Sequence, residues 1–255
     1  MRLARLYIEN MLINNLSEKS LLQLILLRSL FFGEKEIKLL PCLVDRKKCC
    51  IDIGANRGIY SYYLSKLSKH VFAYEPNPNL AKFLDATVKS NVTVKNIALS
   101  DSIRNEILNV PIIDGHETHN LARVGKSFKG TALQIPIKLT TLDREEHKDI
   151  GFIKIDVEGH EMNVLKGGES IIREYLPNMI IEIEQRHSNI SILDTISYIL
   201  DQGYYGYFFY CGNLCNITEF NVDKHQLKYL TDGTATITSN RYVNNFIFTT
   251  DKSII

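Results

Sequence analysis

The run Asp52-Ile53-Gly54-Ala55-Asn56-Arg57-Gly58 constrains the fold more than any other feature of the chain. It closes a short apolar stretch (49–55, CCIDIGA) and opens a helix-length amphipathic one (58–69, with Tyr62, Leu64 and Leu67 among its apolar positions). A buried strand, a turn that needs glycine and then a helix form the repeating unit of a parallel sheet, because parallel neighbours require a crossover. The pattern continues in that sense. Residues 71–74 read as a second strand ended by Glu75-Pro76, 80–89 as a second helix, and 92–99 as a third strand. This βαβαβ order predicts right-handed crossovers and a doubly wound, Rossmann-like α/β fold with a mostly parallel sheet.

Further strands are expected at 152–157 (FIKIDV) and 179–184 (MIIEIE), with helices at 161–174 and 190–202. The aromatic run 204–210 and residues 245–250 read as closing strands, which adds an antiparallel strand to the sheet. Between them, 101–146 reads as a hairpin-like insertion carrying a mobile Gly/His/Asn-rich loop at 114–130. Residues 1–45 form a helical extension, broken by Gly33 and Pro41, ahead of a domain spanning 46–255.

Length suffices for one domain with additions and needs no disulfide or metal staple. A formal net charge of +1 gives no general attraction to nucleic acid, so no nucleic-acid partner is expected. The five cysteines lack paired metal spacing, and Cys49 and Cys50 fall in a buried strand; a reducing cytoplasm is the expected compartment. The apolar stretch 21–32 contains Arg28 and is too short to span a bilayer, which takes ~20 residues. It reads as a surface helix packed on the domain and leaves peripheral membrane contact open. Composition says nothing of oligomeric state.

The loop chemistry narrows the ligand. Gly54 and Gly58 permit positive φ and let backbone approach a ligand where a Cβ would block it. Glu75, 17 residues after Gly58 and at the end of the next strand, suits the two hydroxyls of a ribose. The middle glycine of a dinucleotide loop is replaced by Asn56, and Asp52 lies two residues before the first glycine. A carboxylate there repels a diphosphate and suits an ammonium or sulfonium. S-adenosylmethionine carries a ribose, both cations and no phosphate, and is the expected cofactor. The alternatives are a nicotinamide dehydrogenase on the same fold and a non-catalytic nucleoside-binding module.

Several motifs occur together in order: DIGANRGIYS at 52–61, EPNP at 75–78, NIALSD at 96–101, TLD at 141–143 and KIDVEGHE at 154–161. Over about 49–186 the chain resembles the FkbM family of methyltransferases. The resemblance implies a class I methyltransferase fold and methylation of a hydroxyl on a sugar, glycan or small natural product. It assigns Asp52, Gly54, Asn56 and Gly58 to the methionine-end loop, Glu75 to the ribose and Ala98 to the adenine wall. No motif marks the preface or the segment after 203.

Lys154, Asp156 and Glu158 alternate with apolar residues and share one side of their strand, as Glu182 and Glu184 do in the next. Lys154 is expected to lie across from Glu182 as a structural salt bridge. Asp156 and Glu158 sit at the carboxyl end, where open α/β sheets bind ligands, and an alcohol acceptor needs a base. Asp156 is therefore the leading catalytic candidate and also borders the cofactor. Glu158 and His160 flank it, His160 as a pocket wall. His119, with Asn120, lies on a loop able to cover the pocket. Tyr60 is placed to close over the methionine end. The all-oxygen cluster permits a divalent metal, which is not favoured, and no metal ligands are assigned.

Overall fold

The computed structural model describes residues 17–32, 34–125, 130–188, 190–231, 234–235 and 241–254. The first sixteen residues and Gly33 of the preface, and 126–129 of the insertion loop, lie outside them.

The central sheet contains β1 (Cys49–Ile53), β2 (His70–Tyr74), β3 (Val92–Lys95), β4 (Ile150–Ile155), β5 (Asn178–Glu182), β6 (Tyr205–Tyr210), β7 (Asn213–Asn216) and β8 (Asn245–Thr249). Their order is β7-β6-β8-β5-β4-β1-β2-β3. The strands from β5 through β3 run parallel, and β8 inserts antiparallel between β5 and β6. This is the doubly wound sheet with an antiparallel closing strand that the alternation of elements predicts. The crossover helices include α2 (Ile59–Leu67), α3 (Pro78–Thr87), α4 (Glu161–Gly167), α5 (Glu169–Tyr175) and α6 (Ile192–Leu200).

The chain leaves β1 toward β2 on one side, and β4 lies on the other. The crevice at the carboxyl ends of β1 and β4 is thus the topological switch point, where such sheets bind ligands. Both strands are buried on both faces, which explains their nearly continuous apolar reading. Ile51, Ile53, Ile153, Ile155 and Ile181 pack on one side of the sheet. Cys50, Phe152 and Ile180 pack on the other, with Leu40, Leu43 and Val44 from the preface. Asp52 pairs in register with Lys154, which places polar groups on the second face at the crevice.

Three expected elements differ. The strand over 92–99 divides, because Asn96 Nδ2 donates to the carbonyls of Glu75 and Pro76 (both 2.9 Å) and turns the chain. Ala98–Leu99 then joins a second sheet. The helix over 161–174 breaks into α4 and α5 at Gly167-Gly168. A Cβ at Gly167 would stand 1.8 Å from the Ser100 carbonyl oxygen, so close approach to the insertion requires the glycine. Pro41 does not interrupt a helix; it occupies the first turn of the short helix Leu40–Leu43, where its missing N–H costs nothing.

The insertion is a sheet of its own. Arg104–Ile113 pairs antiparallel with Ala132–Thr140 over eight residue pairs, from Arg104↔Leu139 to Pro111↔Ala132. Its loop contains the short strands His116–Glu117 and Arg123–Val124 and a 3-10 turn at His119–Leu121. Leu108, Val110, Ile137 and Leu139 give it a small core with Ala98. The preface helix α1 (Glu18–Phe32) packs on α2 and α3, and no described helix is long and apolar enough to cross a membrane.

Candidate cofactor and acceptor site

A cavity of about 700 Å³ opens at the switch point, within the ~300–1,000 Å³ range of ligand pockets. Asp52, Gly54, Asn56, Tyr60, Glu75, Ala98, His119, Asp156, Glu158 and His160 all line it, and Gly58 does not.

The 52–58 loop is held by backbone conformation. Gly54 and Gly58 have φ of 77° and 83°, and Asn56 also lies in the left-handed region at 49°. Asparagine tolerates that region better than most residues. The glycines, however, face protein and not ligand. A Cβ on Gly54 would stand 1.8 Å from the Asp156 carbonyl oxygen, and one on Gly58 would stand 2.3 Å from Leu84 Cδ1. Their hydrogen side chains allow β1 to meet the end of β4, and α2 to meet α3. The expectation that a Cβ here would block the ligand directly is therefore corrected.

Glu75 receives the loop. Its carboxylate accepts the backbone N–H of Asn56 and of Asn77, each at 2.8 Å. Burial pushes it up to about 7, against the lowering effect of those two hydrogen bonds. Asn77 caps α3 by accepting from the Asn79 N–H at 3.0 Å, and its Nδ2 donates to His119 Nδ1 at 3.2 Å. His119 Nε2 lies 3.4 Å from Glu117. The insertion is thus tied to the cofactor edge through His119, whose two ring nitrogens are engaged. Burial lowers its pKa, with Arg57 also disfavouring the charged form. The Asn120 side chain lies outside the described residues, and His116 sits on an exposed strand away from the cavity.

Opposite this edge the cavity is acidic. Asp52 accepts from Ser61 Oγ at 2.5 Å, and burial pushes it up to about 6. The carboxylate oxygens of Asp156, Glu158 and Glu182 lie within 4.8 Å of one another. Asp156 and Glu182 therefore stand close enough for each to disfavour the other's charge. Burial, the largest cause, raises both. Lys154 Nζ stands 3.9 Å from Asp156 Oδ2 and supplies the positive charge that a cation would otherwise bring. Asp156 remains about a third exposed to the cavity (32%), while Lys154 is sealed at 1%.

The Lys154–Glu182 pair expected from alternation does not form as drawn. Lys154 is in register with Ile180, and its ammonium donates to Asn245 Oδ1 at 3.1 Å. Glu182 Oε1 instead accepts from Asn244 Nδ2 at 2.9 Å. Glu184 is occupied by Arg186, which donates to both of its oxygens at 2.7 and 2.8 Å, and by the Tyr242 hydroxyl. Glu158, at φ 53°, directs its carboxylate onto His187 Nδ1. His160 Nε2 is hydrogen-bonded to Ser100 Oγ at 2.9 Å, and Ser100 Oγ also reaches Asp101. Phe209, from the aromatic run, also reaches the cavity.

Sequence reading missed the preface residues Glu34, Lys35 and Glu36, which line the same cavity. Tyr60 donates its hydroxyl to Glu34 at 2.5 Å, and Asn245 Nδ2 donates to it at 3.2 Å. No periodicity or motif surrounds 34–36 to mark them. Glu182 carried a visible signal, the alternation of MIIEIE beside KIDVE.

Eight carboxylates line the cavity (Glu34, Glu36, Asp52, Glu75, Asp156, Glu158, Glu182, Glu184) against four cations (Lys35, Arg57, Lys154, Arg186). That balance fits a ligand with positive charge and a ribose, and opposes a pyrophosphate.

Comparison with known proteins identifies the family. The model of the methyltransferase FkbM domain matches residues 52–205. The crystal structure of methyltransferase FkbM from Methylobacillus flagellatus superposes with a TM-score of 0.51 at 20% identity, over 86% of this chain and 47% of that one. The chain thus spans about half the length of that protein, and the likeness is one of fold. A precorrin 8w decarboxylase from Methanobacterium thermoautotrophicum (13% identity, 85% and 90% covered, TM-score 0.44) is similar at a lower level. So is an rRNA methylase from Streptococcus thermophilus (12% identity, 84% and 91% covered, TM-score 0.44). No curated protein matches the chain.

Proposed function

The chain belongs to the FkbM methyltransferase family, and from that premise we propose that it methylates a hydroxyl of a sugar, glycan or small natural product in the cytoplasm, with S-adenosylmethionine as donor. The observation that carries the reading is Asp156: a carboxylate facing the cavity at the end of β4, clustered with Glu158 and Glu182 beside the sealed Lys154. When bound, the cofactor supplies an electrophilic methyl group on a sulfonium. Glu75 would hold the ribose hydroxyls, and the buried Asp52 would lend negative charge to the methionine end. Asp156 would orient the acceptor hydroxyl and accept its proton, leaving the oxygen free to take that methyl group. Lys154 keeps the Asp156–Glu182 pair from carrying two uncompensated charges.

Neither a nicotinamide dehydrogenase nor a bare binding module is favoured by this balance of charge or by the family. The test compares methylated glycans and metabolites from cells with and without the protein, supplied with a labelled methyl donor. Label on a hydroxyl oxygen, lost with Asp156→Asn, supports the reading. Label on nitrogen, or none in any fraction, contradicts it.

A further inference from the structure

The Glu34-Lys35-Glu36 segment precedes the family motifs in the chain and has no role in the scheme above. Glu34 is fixed, accepting from Tyr60 Oη at 2.5 Å and from Asn245 Nδ2 at 3.2 Å. Tyr60 lies two residues past the end of the 52–58 loop, so the segment is anchored to the methionine side of the cavity. Its other two charges are uncommitted. Glu36 is 7% exposed and lines the cavity, yet among the described residues its carboxylate accepts only its own backbone N–H and makes no close ion pair, with Lys154 and Lys35 acting on it from a distance. Lys35 lines the same cavity with no hydrogen bond or ion pair among the described residues. Two other cations of the cavity are spent: Lys154 on Asn245 and Asp156, Arg186 on Glu184.

A buried carboxyl without a close cation tends to keep its proton, as burial does to Glu36 here, and it ionises when a cationic group comes to it. Glu36 and Lys35 together present one negative and one positive group from adjacent residues, which is the complement of an amino-acid zwitterion. We propose that this segment seats the amino-acid end of the cofactor, Glu36 receiving the α-ammonium and Lys35 the α-carboxylate. The inference rests on the cofactor assignment made above. It gives the preface a function: closing the methionine end of a site whose ribose end is built from the family motifs.

The test is calorimetric and needs no acceptor. S-adenosylhomocysteine carries the zwitterion, and 5′-methylthioadenosine keeps the adenosine and thioether without it. Glu36→Gln and Lys35→Ala should each weaken the first ligand by about tenfold or more and leave the second within about twofold. Retained binding of the second ligand also shows that each variant is folded. Unchanged affinity for S-adenosylhomocysteine, or equal weakening of both ligands, overturns the assignment. Failure of the unaltered protein to bind either ligand would instead overturn the cofactor reading, and this inference with it.

Discussion

The two ends of the cavity are built in opposite ways. At the ribose end, the 52–58 loop and 75–77 lie close in sequence, and their contacts are largely backbone: two N–H groups on Glu75, a cap at Asn77, glycines against carbonyl and leucine. At the acceptor end, Asp156, Glu182 and Asn245 come from three segments far apart in sequence: Glu182 and Asn245 are partners across the β5–β8 ladder, and Lys154 joins Asn245 to Asp156 through side chains. The first arrangement fixes a shape that one ligand satisfies. The second can change one side chain at a time without disturbing the sheet, which suits a site where acceptors differ.

The contrast can be broken most severely at Gly54. Replacing it by valine forces a side chain onto the Asp156 carbonyl at a positive φ, and should cost about 4 kcal/mol or more. Urea denaturation should show this loss of stability, with ligand binding lost because the fold is lost. A stable Gly54→Val protein would refute the packing role. Asp156→Asn should do the reverse: turnover falls by roughly 10²–10⁴-fold while S-adenosylhomocysteine affinity stays within about threefold. Equal losses in both would place Asp156 with the cofactor alone.

Glu75→Ala separates the ends from the other side. It removes hydrogen bonds to a charged group worth about 1.5–3 kcal/mol, so affinity should fall by roughly tenfold to a hundredfold with turnover at saturation retained. A pH series sharpens the same point. Burial raises Glu75 to about 7 and Asp52 to about 6 in the empty cavity, so both take up protons as pH falls from 8 toward 5. Ligand binding favours their ionised forms, and affinity should therefore weaken as pH falls through that window, by up to about tenfold per pH unit for each proton displaced. A flat profile by calorimetry would contradict the coupling. The smallest effect is expected at His119→Ala, where loss of the Asn77 contact should weaken the cofactor by about twofold to fivefold.

The ribose end was legible in sequence because its geometry is local: a strand, a turn with positive φ and a helix leave their residues adjacent. The acceptor end was legible only in part. Alternation placed Asp156 and Glu182 on one face, but not the register that leaves Lys154 opposite Ile180, nor β8 bringing Asn245 beside Glu182 and within reach of Lys154. Gly54 and Gly58 were identified by type and misread in purpose, since a sequence shows that a Cβ is absent and not what it would strike. The preface left no trace, because three alternating charges on a 3-10 turn look like solvated surface until Glu36 is seen to be buried.

The central claim is that this cavity receives a cationic, phosphate-free nucleoside. Parallel calorimetric titrations of the protein with S-adenosylhomocysteine and with reduced nicotinamide dinucleotide test it most directly. Saturable one-to-one binding of the first and none of the second is the result expected. Binding of the dinucleotide, or silence toward S-adenosylhomocysteine by the folded protein, would contradict it.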